Sequence, residues 1–67
     1  MTPAEIRALR QRLGLTQAAF AERYHLSPRV VANWECGRDG PSGSAATLLT
    51  LISRAPETIA RILLSAE

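Results

Sequence analysis

The chain has 67 residues, 46% of them hydrophobic, and a formal net charge of +2. That length predicts one domain spanning residues 1–67, which buries only about 60% of its unfolded surface and leaves little room for an enclosed catalytic pocket. One cysteine excludes an intramolecular disulfide, there is no His/Cys cluster to suggest a metal, and no apolar run approaches a membrane span.

With no secretory leader read at the start, a reduced cytoplasmic setting is expected. All eight basic side chains are arginine, which suits bidentate contacts to phosphate and guanine. A GC-rich coding sequence explains the same bias, so composition alone does not argue for nucleic acid.

Thr2-Pro3-Ala4-Glu5 has the capping-box pattern with proline at the first helical position, which predicts a helix from Pro3. Ile6, Leu9, Arg10 and Leu13 share one face of it, and Gly14 stops it. Thr16 is a good N-cap for a second helix from Gln17 to Tyr24. His25 falls where a tight turn wants left-handed backbone, which His tolerates better than most non-glycine residues.

Ser27-Pro28 repeats the cap-then-proline start for a third helix, and Gly37 ends it. The Gly, Pro and Ser residues between Arg38 and Ser44 predict a loop. Ser42 or Ser44 is expected to cap a fourth helix carrying Ala45, Leu48, Leu49 and Ile52. Pro56 and Glu57 open a fifth, with Ile59, Ile62 and Leu63 at helical spacing. The fold class is therefore all-α, a compact bundle of about five short helices.

Between Thr16 and Arg38 two kinds of residue separate. Phe20, Ala21, Leu26, Val31 and Trp34 have the spacing that packs two crossed helices together, whereas Arg29, Asn33 and Arg38 are left to face outward. A helix-turn-helix requires that division if its second helix lies in a major groove. The first turns of the third helix are expected to expose Pro28, Arg29, Val30, Ala32 and Asn33.

Arg29 and Asn33, four apart, share one face. An arginine there can donate to guanine O6 and N7, and an asparagine can pair with adenine N6 and N7. Gln17, Thr16 and Ser27 at helix starts and Arg38 beyond the third helix are placed for backbone phosphates. The plainer readings are helix caps and a solvated face.

Arg10 is a charge within an apolar stripe and needs a partner. Glu35, beside Trp34, is expected to form a structural ion pair with it. No nucleophile–base pair, phosphate loop or metal-ligand spacing is present, so neither an enzyme nor a cofactor is expected. The last two helices carry more apolar residues than one inward face needs, and Leu51, Ile59, Leu63 and Leu64 are assigned to a two-fold contact.

Leu13-Gly14-Leu15-Thr16-Gln17, Phe20-Ala21, Leu26-Ser27 and Trp34-Glu35-Cys36-Gly37-Arg38 together resemble the Cro/C1-type (XRE-like) helix-turn-helix family of bacterial and phage regulators. The resemblance runs from about Glu5 to Leu63. Pro41-Ser42-Gly43, Leu48-Leu49 and Pro56-Glu57 narrow it to the subgroup containing antitoxins of type II toxin–antitoxin operons and their solitary relatives.

It implies a lambda-repressor-like DNA-binding fold and a homodimer on a palindromic double-stranded operator, with third helices about 34 Å apart. It also implies backbone contacts from Gln17 and Arg38, base contacts from Arg29 and Asn33, and the internal pair Arg10 and Glu35. Two positions depart from the pattern. His25 replaces the usual turn glycine, and Pro28 stands where relatives place a polar base reader, which shifts readout onto Arg29 and Asn33.

Three functions are compatible: a small autorepressor, an antitoxin that also binds a toxin protein, and a protein-interaction module that does not read DNA.

Overall fold

The computed structural model describes residues 1–66. Five helices follow one another: α1 (Pro3–Arg12), α2 (Gln17–Arg23), α3 (Pro28–Glu35), α4 (Ser44–Arg54) and α5 (Pro56–Ser65). Each of the first three starts on a hydroxyl cap. The Thr2 hydroxyl accepts from the Glu5 amide at 3.2 Å while the Glu5 carboxylate accepts from the Thr2 amide at 2.8 Å, which completes the capping box. Thr16 accepts from Ala19 N–H at 3.0 Å, and Ser27 accepts from Val30 N–H at 3.1 Å.

The helix ends follow from backbone conformation. Tyr24 closes α2, and His25 beyond it has φ 57°, the left-handed region expected of this turn. The Leu26 amide then donates to the Ala21 carbonyl at 2.8 Å, and the chain turns into α3.

The fourth helix departs from expectation. Neither Ser42 nor Ser44 caps it with a side chain; Gly43 occupies the cap, with φ 56° and ψ −128°, and Ser44 is already helical. That backbone conformation is nearly closed to residues with a Cβ. It puts Ser42 one position too early and Ser44 one too late for a capping hydroxyl. At the other end Ala55 alone separates α4 from α5, and Pro56 begins the new helix as its position predicts.

Packing centres on α3, which lies against α1 and α2, while α5 closes over α2 and α4. The core consists of Ile6, Leu9, Phe20, Ala21, Tyr24, Val31, Trp34, Leu49 and Ile52. Trp34 is 5% exposed, so the indole is a core group and cannot stack on a base. Phe20 and Tyr24, one turn apart on α2, bring their rings to 5.0 Å in a tilted arrangement.

Val30 was expected outside but is half-buried against this core; Ala32 and Asn33 are also half-buried. With α1 and α2 both packed on a helix of eight residues, little of its circumference is left to solvent.

Two side-chain ties join the front of the molecule to its back. Tyr24 Oη donates to the Pro56 carbonyl at 3.1 Å, and Arg12 Nη2 donates to the Ser53 carbonyl at 3.1 Å. Tyr24 is fully buried, so its hydroxyl needs this partner. Tyr24→Phe should lower stability by about 1 kcal/mol, or roughly 4–8 °C in thermal midpoint for a domain this small. An unchanged melting curve would show that the bond contributes nothing.

Candidate nucleic-acid interface

The α2–turn–α3 unit presents α3 with its inner face fixed by Val31 and Trp34. Arg29 is exposed on the first turn, and Asn33 lies one turn further on, half-buried. The Asn33 side chain carries both donor and acceptor groups. Its backbone carbonyl is engaged elsewhere, accepting from the Arg38 amide at 3.0 Å and the Asp39 amide at 3.4 Å.

Those bonds wrap the chain back over the end of α3. Gly37 makes the wrap possible with φ 81°, and Arg38 emerges exposed just beyond it. Ser27 and Thr16 use hydroxyl lone pairs for capping, and each O–H proton remains able to donate to a phosphate oxygen.

Behind this surface Arg10 and Glu35 meet in a two-pronged bond. Arg10 Nε lies 2.6 Å from Glu35 Oε2, and Arg10 Nη2 lies 2.8 Å from Oε1. The two side chains are 14% and 3% exposed. Arg10 Nη1 also donates to the Leu15 carbonyl at 2.9 Å, which ties in the segment leading to α2.

Two further partners of Glu35 escape a reading of the sequence. Gln17 Nε2 donates to Oε1 at 3.2 Å, and Arg7 Nη2 donates to the Glu35 backbone carbonyl at 3.2 Å. Arg7 precedes Arg10 by three residues and so sits on the neighbouring part of the same helical face, a signal that could have found it. For Gln17 the linear pattern holds no such signal.

These bonds set the protonation behaviour. Glu35 is held below the usual carboxylate range, first by the bonds from Arg10, with burial opposing and Gln17 and Arg7 adding to the effect. Arg10 is raised by the same bond to Glu35. At the surface, Glu5 is lowered by its capping bonds with Thr2.

The residues assigned to self-association divide. Leu51 and Leu64 are 46% and 72% exposed, whereas Ile59 and Leu63 are half-buried and pack on the chain's own core. Ile59 and Leu63 are one turn apart on the inner side of α5, so their surface is already largely used. Ile62, expected on the same apolar stripe as Ile59 and Leu63, is instead 55% exposed. Leu64 edges a groove between α2 and α5 lined also by Leu15, Ala19 and Ala60.

Among the described residues no His, Cys, Asp and Glu side chains gather in a group that could hold a metal. No described helix is long and apolar enough to cross a membrane.

A family profile described as helix-turn-helix matches residues 6–51, which include α1, the α2–turn–α3 unit and much of α4. The chain belongs to the helix-turn-helix family. Within that family it is of the Cro/C1-type, XRE-like kind.

It is 42% identical over 62 residues to the curated protein Antitoxin HigA-2 of Vibrio cholerae, an alignment that covers 92% of this chain. The chain spans 60% of the length of that relative. A solved structure described as an HTH XRE-family like protein from Agrobacterium tumefaciens superposes with a TM-score of 0.85 at 36% identity. That match covers 94% of this chain and 98% of the other.

The Arg10–Glu35 bond makes a prediction about acid. A carboxylate whose pKa is lower when folded adds stability that is complete above its unfolded value and fades as pH falls through the folded one. The thermal midpoint should therefore be level above the ordinary glutamate value of 4.5 and fall below it. Glu35→Gln should flatten much of that acid slope, Glu5 supplying part of what is left. Breaking the pair from the other side, Arg10→Met should cost about 3–5 kcal/mol. A wild-type acid slope that Glu35→Gln leaves intact would contradict this assignment.

Proposed function

We propose that the chain is a transcriptional regulator that binds double-stranded DNA as a homodimer and represses from a palindromic operator. One observation carries the reading. A helix packed on the core through Val31 and Trp34 leaves Arg29 exposed and Asn33 half-buried one turn further on, flanked by phosphate-compatible groups. Arg29 reads guanine and Asn33 reads adenine, while Thr16, Gln17, Ser27 and Arg38 set the register against the backbone. This reading calls for no cofactor and sets the protein in the cytoplasm beside its DNA partner.

The antitoxin relative favours a second reading, in which the protein also neutralises a toxin. A toxin gene directly beside this one would support that reading, and an isolated or phage-operon location would count against it. A protein-interaction role without DNA reading is the third alternative.

Base reading is tested by gel-shift titration against the DNA upstream of the gene, with scrambled DNA as control and salt held fixed, since salt sets the non-specific background. Two bidentate contacts worth about 1–3 kcal/mol each make the Arg29→Ala/Asn33→Ala variant weaker on operator by roughly thirty-fold or more. Its melting temperature should stay near that of wild type. Operator binding that survives both changes would favour the protein-interaction role.

For the homodimer, the exposed leucines Leu51 and Leu64 supply the contact, with Ile59 and Leu63 contributing only their uncovered edges. Leu64→Asp should yield a monomer in sedimentation equilibrium and weaken operator binding while keeping the helical content of the wild type. A dimer that persists in this variant would move the two-fold contact away from α5.

A further inference from the structure

Glu35 is the last residue of α3, and its side chain is 3% exposed. Arg10 reaches both carboxylate oxygens, at 2.6 and 2.8 Å, and Arg7 Nε lies 3.6 Å from Oε1. The bidentate guanidinium already satisfies the carboxylate's charge. The bond from Gln17 Nε2 to Oε1 at 3.2 Å is therefore not needed to neutralise it.

Its effect falls on Gln17 instead. A glutamine side chain has several rotamers and loses considerable freedom when fixed. Here it is fixed in the free protein, by the helix that carries Arg29 and Asn33. A carboxamide has two N–H groups. Glu35 takes one and leaves the other for an oxygen outside the protein.

We infer that Glu35 is a positioning residue for DNA binding: its carboxylate holds the Gln17 carboxamide so that the second N–H meets a backbone phosphate in fixed register with Arg29 and Asn33. This rests on the DNA-binding function proposed above.

Charge separates this role from a purely electrostatic one. Glu35 is an anion near a surface that meets phosphates, so neutralising it should tighten binding to any DNA and steepen the salt dependence. Positioning predicts the reverse for operator DNA.

The test is a double-mutant cycle in gel-shift titrations, using wild type, Glu35→Gln, Gln17→Met and the double variant on operator and scrambled DNA, with melting temperatures recorded alongside. Glu35→Gln and Gln17→Met should each weaken operator binding by roughly five- to tenfold, the scale of one lost hydrogen bond. The double variant should lose no more than either single one. Binding of Glu35→Gln to scrambled DNA should be unchanged or tighter.

Losses that multiply in the double variant, or operator binding that tightens in Glu35→Gln, would overturn the inference. A wild type that binds operator no better than scrambled DNA overturns the DNA-reading function and this inference with it. If Glu35→Gln does not fold, the wild-type Gln17 side-chain amide can be followed by NMR. A held amide shows one proton protected from exchange in the free protein and with DNA added, while the other shifts on binding. Two protons exchanging alike with solvent contradict it.

Discussion

The carboxylate of Glu35 is buried among three helices, and the geometry of the molecule's front depends on how that charge is satisfied. An isolated carboxylate at this depth would be strongly unfavourable. Arg10 offsets the cost with two parallel bonds of 2.6 and 2.8 Å, a geometry that a lysine cannot reproduce. Because Arg10 belongs to α1 and also bonds the Leu15 carbonyl, the pair fixes α3 relative to α1 and to the approach to α2. Apolar packing through Val31, Trp34 and Ile6 supplies the non-directional attraction, and the ion pair supplies direction. A helix held this way presents its outer residues in a defined orientation, which base recognition at hydrogen-bond distances demands.

The opposite side of the molecule is built differently. Its elements join with almost no loop, Ala55 alone separating α4 from α5, and it is tied forward by Tyr24 and Arg12. Its outer surface stays apolar at Leu51, Ile62 and Leu64. A small domain with limited core volume has reason to cover such residues by association. The proposed DNA reading at one end and self-association at the other would thus occupy separate surfaces of one small core.

How much of this was legible in the sequence depends on how local the cause was. The hydroxyl caps at Thr2, Thr16 and Ser27, the proline starts and the left-handed His25 depend on a few neighbouring residues, and the linear pattern reveals them. The need of Arg10 for a carboxylate was visible as a charge in an apolar stripe. Arg7 had only its spacing from Arg10 to mark it, and the reach of Gln17 to Glu35 had no mark at all, because it depends on where α2 and α3 cross. Gly43 reads in the sequence as part of a loop, and only its backbone angles show that it displaces both serines as caps. Ile59 and Leu63 looked spare on α5 until the packing of that helix on α2 and α4 showed which of its sides is inward.

If α3 reads DNA as one half of a two-fold dimer, its traces on an operator have a fixed geometry. Two major-groove contacts must lie on the same side of the duplex, about 34–36 Å or 10–10.5 base pairs apart. Methylation interference on the DNA upstream of the gene tests this most directly, because a methyl at guanine N7 blocks the atom Arg29 is placed to reach. Two symmetric clusters of interfering guanines at that spacing are expected. A single cluster, or interference confined to the minor groove, would contradict it.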